Sequence, residues 1–243
     1  MIIKRASDLL LSLFGLVVAS PILITFLLLV WLQDFHSPFY IAHRVGRGGK
    51  LFRMVKMRSM VRNADKSGVD STKADDSRIT MLGRVIRKCK LDELTQLWNV
   101  FWGQMSLVGP RPQVERDVDL YTEEEMRLLS VRPGITDFAS IVFADEGEIL
   151  SGTVDPDLAY QQLIRPWKSR LGLFYIDNRT SLVDIQLLLL TIANSFDRRF
   201  SLDRLSKLLG KLGADSKLQL VSQRHEELLP SPPPGSSFVV ESR

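Results

Sequence analysis

The sequence predicts a mainly α fold with one small β-hairpin. A re-entrant N-terminal membrane helix-break-helix precedes a compact cytoplasmic α/β domain that carries amphipathic helices at the membrane interface. Three observations lead there: an uncharged run over 9–32 interrupted by Ser20-Pro21, positive charge on both flanks of that run, and short apolar-periodic segments around a single alternating stretch punctuated by glycine. With 243 residues, 45% hydrophobic and 25% charged, the chain can bury one core of ordinary size plus appendages. The expected units are 1–36, 37–198 and 199–243. A formal charge of +4 suits an anionic partner, whether phosphate ligands, nucleic acid or an anionic membrane surface. Cys89 stands alone, which excludes an internal disulfide and suits a reducing compartment. His36, His43 and His225 lack metal-ligand spacing.

Residues 9–32 hold 24 positions without charge, and about 20 apolar residues cross a bilayer. A proline at position 21 removes an N–H and clashes with the carbonyl of Val17, and Ser20 can bond the freed carbonyl. Lys4 and Arg5 precede the run, and between Phe35 and Ala64 there are seven Lys/Arg and no Asp or Glu. The positive-inside rule then keeps both ends in the cytoplasm, which a re-entrant segment satisfies and a single crossing does not. On residues alone, a straight span with the following domain on the far side stays open as the alternative.

From Pro38 to Met60 the pattern reads as two short strands joined by a Gly-rich turn, Arg47 to Lys50. Gly46-x-Gly48-Gly49-Lys50 lacks the second half of a phosphate loop, so it reads as a hairpin turn. The basic residues of this region are expected to meet lipid headgroups. Residues 63–77 are polar and aperiodic and are expected to form a mobile loop. A helix over Met81 to Lys88 delivers Arg84 and Arg87 one turn apart.

The stretch Arg87 to Pro112 concentrates the chemistry. On a helix starting near Leu91, residues Leu94, Leu97, Trp98 and Phe101 make an apolar stripe, and Asp92, Gln96 and Asn99 share the opposite face, predicted to point outward. At the first turn, free N–H groups and the helix dipole favour an ionised Asp92. Such a carboxylate can ligate a hard cation or attack phosphorus. Gly109-Pro110-Arg111-Pro112 ends the helical pattern and presents the Arg111 guanidinium on extended backbone, suited to phosphate. Further on, Thr122-x-x-Glu125 reads as a capping box for a helix ending before Pro133-Gly134. Asp155-Pro156 opens a helix that Pro166 breaks, and Ser181-x-x-Asp184 opens an apolar helix whose Ile185–Ile192 run suits the membrane interface. Leu202, Leu205, Leu208, Leu209 and Leu212 predict one more amphipathic helix, and the Pro/Ser-rich 229–238 tail reads as disordered.

The run LDELTQLWNVFWGQMSLVGPRP resembles the signature of the bacterial sugar transferases that move a phosphosugar from a nucleotide sugar onto polyprenyl phosphate, the monotopic phosphoglycosyl transferases. Lys4-Arg5 with Asp8, Ser20-Pro21, Arg44-x-Gly46, KMRSM, RITMLGRVIRK, VRPGIT and SLVD extend the resemblance over 1–198. It implies an enzyme of the bacterial inner membrane, with its catalytic domain on the cytoplasmic face. Asp92 would be the nucleophile, forming a covalent phosphosugar, and Glu93 its acid/base or metal-orienting partner. Mg²⁺, with Mn²⁺ as a substitute, would sit at Asp92. Lys56, Arg87, Arg111 and Asp184 would bind substrate, and Ser20 and Pro21 would form the membrane break. Lys56 is singled out by this resemblance only, and Asp184 also has a plain reading as a helix cap. The implied partners are a UDP-sugar, polyprenyl phosphate and membrane lipids, with a homodimer compatible and no nucleic acid.

Three departures stand out: Thr95 where a proline is common, Gln104 where an acid is common, and DFASIVFADEGEIL over 137–150 where the family often has a loop reading GWAQVNGR. Two readings compete with the transferase. One is a basic membrane-anchored scaffold or nucleic-acid binder, which leaves the acidic pair unexplained; the other is a lipid-phosphate phosphatase, which needs water as acceptor.

Overall fold

A long apolar helix lying along a mostly helical body organises the molecule, and the computed structural model describes residues 2–64, 72–73 and 75–241. Helix α1, Ile2–Asp34, is followed by an antiparallel hairpin of β1, Phe39–Val45, and β2, Leu51–Met57. The hairpin turn over Arg47–Gly49 puts Gly48 and Gly49 at positive φ, 68° and 76°, which explains the glycines there. The mobile loop expected over 63–77 falls largely outside the described residues, at 65–71 and 74.

Helices α2, Met81–Lys88, α3, Leu91–Leu94, and α4, Leu97–Phe101, lead to strand β3, Ser106–Val108. After the short α5, Glu115–Val118, and a 3₁₀ turn over Glu125–Ser130, strand β4, Gly134–Thr136, pairs parallel with β3. Helices α6, Phe138–Val142, α7, Glu146–Ile149, and α8, Pro156–Ala159, precede a π-helical turn over Tyr160–Ile164. The chain closes with α9, Arg165–Asn178, α10, Ser181–Asn194, α11, Arg198–Lys211, and α12, Ser216–Gln223.

The main core joins Val100 and Met105 to Phe138, Ile141, Ile164, Leu171, Leu187 and Leu205. A second cluster, Leu23 and Val30 with Met57, Ile86 and Leu91, seats the later half of α1 on the hairpin and α2.

The polar ends of α1 are held by hydrogen bonds. Arg5 donates to the carbonyls of Val100 and Phe101, both at 2.6 Å, capping the C-terminus of α4. Asp8, 4% exposed, accepts from Ser106 Oγ at 2.8 Å and the Leu107 amide at 3.1 Å. At the far end, Asp34 takes a two-pronged contact from Arg58, at 2.5 and 2.7 Å. The Ser20 hydroxyl donates to the Val17 carbonyl at 2.7 Å, the acceptor that Pro21 leaves without an amide. With that substitute bond in place, helical structure continues through Pro21, the position of the expected break.

Other expectations change with tertiary context. The Leu91 helix splits at Thr95-Gln96, and its polar face turns inward: Gln96 and Asn99 are each 1% exposed, and Trp98 and Trp102 face out. Asn99 accepts from the Val55 amide at 2.9 Å and donates to the Arg53 carbonyl at 2.7 Å, satisfying the open edge of β2. Thr95 reaches the Val55 carbonyl and Gln104 the Asn99 amide, so both departures serve this junction. The 137–150 stretch is not a loop but two short helices, with Phe138, Ile141, Val142, Phe143 and Leu150 buried.

The Thr122/Glu125 capping box forms reciprocally, although it opens a 3₁₀ turn and not an α-helix, because Glu125 is drawn fully inside to Arg165 and Ser169. Pro166 does not end the helix from Asp155; the π-helical turn relieves its missing bond and leaves it in the first turn of α9. Thr180, not Asp184, caps α10. The 229–238 tail is not loose: the Pro232 carbonyl accepts from Arg170, the Pro234 carbonyl from Thr122 Oγ1, and the Gln162 carbonyl from the Ser231 amide.

Replacing Asp8 with alanine leaves the buried Leu107 amide without its acceptor, at a cost of about 1–3 kcal/mol. Hydrogen exchange at the Leu107 amide is expected to accelerate relative to amides of α11, which are remote from the change.

Candidate active site

Between α2 and α3 the chain turns at Lys90, a non-glycine residue at φ 56°, and this turn swings Asp92 and Glu93 towards β2. Glu93 forms an ion pair with Arg111, which β3 and the following Pro110 carry into place. Two glycines permit that placement: a Cβ on Gly134 would lie 2.1 Å from the Gly109 nitrogen, so the two segments touch backbone to backbone. Gly109 and Gly134 bond across this contact to Thr136 and Pro110.

Lys56, from β2, shares the field of both acids and Arg111. Burial is the main force lowering its amine to about 8, with Arg111 adding repulsion and Glu93 and Asp92 opposing. For Glu93, burial raises the carboxyl, yet the charges of Arg111, Lys56 and Lys90 outweigh it and bring it to about 2, so Glu93 is ionised. Asp92 moves the other way: burial, joined by the Glu93 charge, raises its carboxyl above the usual carboxylate value, against Lys56, Arg87 and Arg111. The expected dipole stabilisation of Asp92 is therefore outweighed. One reason is that α3 is a single turn with little dipole to offer.

The structure thus gathers Asp92, Glu93, Lys56 and Arg111, with Arg87 half-exposed and acting on Asp92 through its charge. Asp184 stands apart. Its carboxylate accepts from Lys4 Nζ at 2.6 Å and from the Tyr175 hydroxyl at 2.6 Å, and Lys4 also donates to the Val108 carbonyl at 3.1 Å. Ser20 and Pro21 lie on α1. Sequence reasoning missed Glu146, Lys168 and Tyr160, which join Lys56 and Arg111 around one polar pocket. Their separation along the chain left no spacing signal.

A metal ion is suited to this donor set in one form. Among the described residues no three or more His, Cys, Asp or Glu side chains stand together as a cage. Mg²⁺ needs only one or two carboxylates when substrate phosphates and waters complete its shell, and the half-buried Asp92 offers that.

Two apolar surfaces are exposed. Helix α10 turns Leu182, Ile185, Leu189 and Ile192 outward on one stripe, and α1 is long and apolar enough to cross a membrane by length and composition.

Comparison with known proteins agrees on one family. The model described as bacterial sugar transferase matches residues 1–198. The chain is 34% identical over 177 residues to the UDP-N-acetylgalactosamine-undecaprenyl-phosphate N-acetylgalactosaminephosphotransferase of Aeromonas hydrophila, covering 71% of this chain and 42% of that one. It is 37% identical over 148 residues to the exopolysaccharide production protein ExoY of Sinorhizobium fredii, covering 55% and 66%. It is 36% identical over 183 residues to the undecaprenyl-phosphate galactose phosphotransferase of Salmonella typhimurium, covering 65% and 38%. The chain therefore spans less than two thirds of each of these relatives.

The Lys56 charge is expected to vanish as pH rises through about 8, where ordinary lysines stay protonated. Competitive amine acylation across pH, read peptide by peptide, should give Lys56 a midpoint near 8; a midpoint in the ordinary lysine range would overturn this reading.

Proposed function

The chain belongs to the bacterial sugar transferase family, and from that premise we propose that it transfers a sugar 1-phosphate from a UDP-sugar to polyprenyl phosphate, releasing UMP. The observation that carries this reading is the divided acidic pair: Glu93 ionised and fastened to Arg111, and Asp92 beside it with a desolvated carboxyl and, among the described residues, no ion-pair or side-chain hydrogen-bond partner. A fastened carboxylate orients; an unfastened one is available to react.

In the proposed sequence an oxygen of the ionised Asp92 attacks the phosphorus that bears the sugar. The bond from that phosphorus to the bridging oxygen breaks, and its electron pair leaves with UMP. An oxygen of the lipid phosphate then attacks the same phosphorus and returns the Asp92 carboxylate as the aspartyl bond breaks. Lys56 and Arg111 face the spreading negative charge, with Arg87 contributing at longer range, and charge stabilisation of this kind is the main demand of phosphoryl transfer. Mg²⁺ or Mn²⁺, held by Asp92 and the donor phosphates, would supply further neutralisation of the diphosphate. Asp184 enters as a brace joining Lys4 and Tyr175 beside Val108, immediately before the Gly109–Pro112 segment that presents Arg111.

The acceptor phosphate sits at the headgroup plane, so the site must be held there. We propose a monotopic arrangement at the cytoplasmic face of the bacterial inner membrane, with α1 dipping into the bilayer, bending at Ser20-Pro21 and returning, and α10 lying at the interface. Support comes from α1 being bonded to the same body near both ends, at Lys4, Arg5 and Asp8 and again at Asp34. A helix of this length would run about 50 Å if straight, and carrying one end across the bilayer would break one of those sets.

Asp92→Asn is expected to cut UMP release by at least about 10³-fold, and the wild type given donor without lipid acceptor should gain one sugar-phosphate mass. Unchanged turnover in the variant would sink the covalent scheme. Tags on the two termini should both react with an impermeant reagent only after the inner face is opened; labelling of one from outside would refute the returning helix.

A further inference from the structure

We infer that the polar pocket beside Arg111, walled by Glu146 and Lys168, receives the sugar ring of the donor and that this carboxylate–ammonium pair determines which sugar is accepted. The inference rests on the transferase reading and extends it by naming the part of the donor and the residues that read it.

Position comes first. Lys56 and Arg111 line the pocket as well as facing the acidic pair, so a phosphate on those cations places its attached group at the pocket. The donor offers two such groups, the sugar on the reacting phosphorus and the nucleoside beyond the leaving phosphate.

Chemistry separates them. Glu146 forms an ion pair with Lys168, whose side chain is 11% exposed against 32% for the carboxylate. The pair leaves carboxylate lone pairs and ammonium protons unspent, and adjacent sugar hydroxyls need acceptors and donors side by side. Gln113 bonds the Tyr160 phenol, which burial, with the Glu146 and Asp117 charges, keeps protonated. A nucleobase would seek an aromatic face. Tyr160 is the aromatic residue among those lining the pocket, and Lys168 Nζ lies 5.2 Å from its ring centroid, covering it. Glu146 itself comes from the 137–150 stretch, which departs from the pattern common in the family. Most of that stretch is core; Glu146 is the part that reaches the pocket.

A site that bonds a particular hydroxyl rejects the epimer or analogue lacking it, because its own polar groups are then left without partners. The test uses the full chain in lipid vesicles with polyprenyl phosphate. UMP release is measured from UDP-glucose, UDP-galactose and their N-acetylamino counterparts, for wild type, Glu146→Gln, Lys168→Met and Glu146→Asp. Inhibition by added UMP is measured in parallel.

The wild type is expected to prefer one donor. In Glu146→Gln and Lys168→Met the ratio of kcat/KM between that donor and the next should shrink by about tenfold or more, with UMP inhibition unchanged and Glu146→Asp restoring part of the ratio. A uniform fall across all four donors with the ratio preserved overturns the assignment and makes the pair structural. Weaker UMP inhibition with the preference intact overturns it in favour of the nucleoside. A wild type without preference among the four overturns it as well. Release of UMP from none of them by the wild type brings down the transferase reading itself, and this assignment with it.

Discussion

Everything about this molecule depends on how an apolar helix is fastened to a polar body. In the membrane arrangement proposed above, greasy contacts alone would do this poorly, because lipid tails would compete for the same surface. The first turns of α1 solve the problem with charge: Lys4 on Asp184 and the Val108 carbonyl, Arg5 on the end of α4, Asp8 on the start of β3. The contacts on Val108, α4 and β3 land on the stretch of chain that runs from Glu93 to Arg111. The helix is therefore part of the frame that sets where Arg111 points, and not a detachable anchor.

A second constraint acts inside the site. Placing two carboxylates next to each other under partial burial is unfavourable unless their environments diverge. Here they diverge sharply. Arg111, Lys56 and Lys90 hold Glu93 ionised, and the Glu93 charge then adds to burial in raising Asp92. Two of those three cations, Arg111 and Lys56, also border the pocket of Glu146 and Lys168, so the acidic pair and the sugar-reading pocket proposed above share one electrostatic field.

Locally encoded features were legible in the sequence. The hairpin with its Gly-rich turn, the helix over Met81 to Lys88, the reciprocal Thr122/Glu125 bonds and the Asp155 cap all follow from residues a few positions apart. What escaped was long-range. The polar face of the Leu91 helix turned inward because Asn99 and Thr95 complete the edge of a strand some 40 residues earlier. The parallel pairing of β3 with β4 joins segments with no pattern in common, and the prolines of the tail found donors in Arg170 and Thr122. Within the site, the acidic pair and Arg111 could be picked out by neighbourhood. Lys56 needed the family resemblance, and Glu146 and Lys168 had no signal at all.

The backbone contact between Gly109 and Gly134 ties two motifs that lie 25 positions apart. With no side chain between them to act as a cushion, the segment bearing Arg111 and the segment leading into the 137–150 helices behave as a weld. Residues downstream of that weld, Glu146 among them, can change while the segment that carries Arg111 keeps its place.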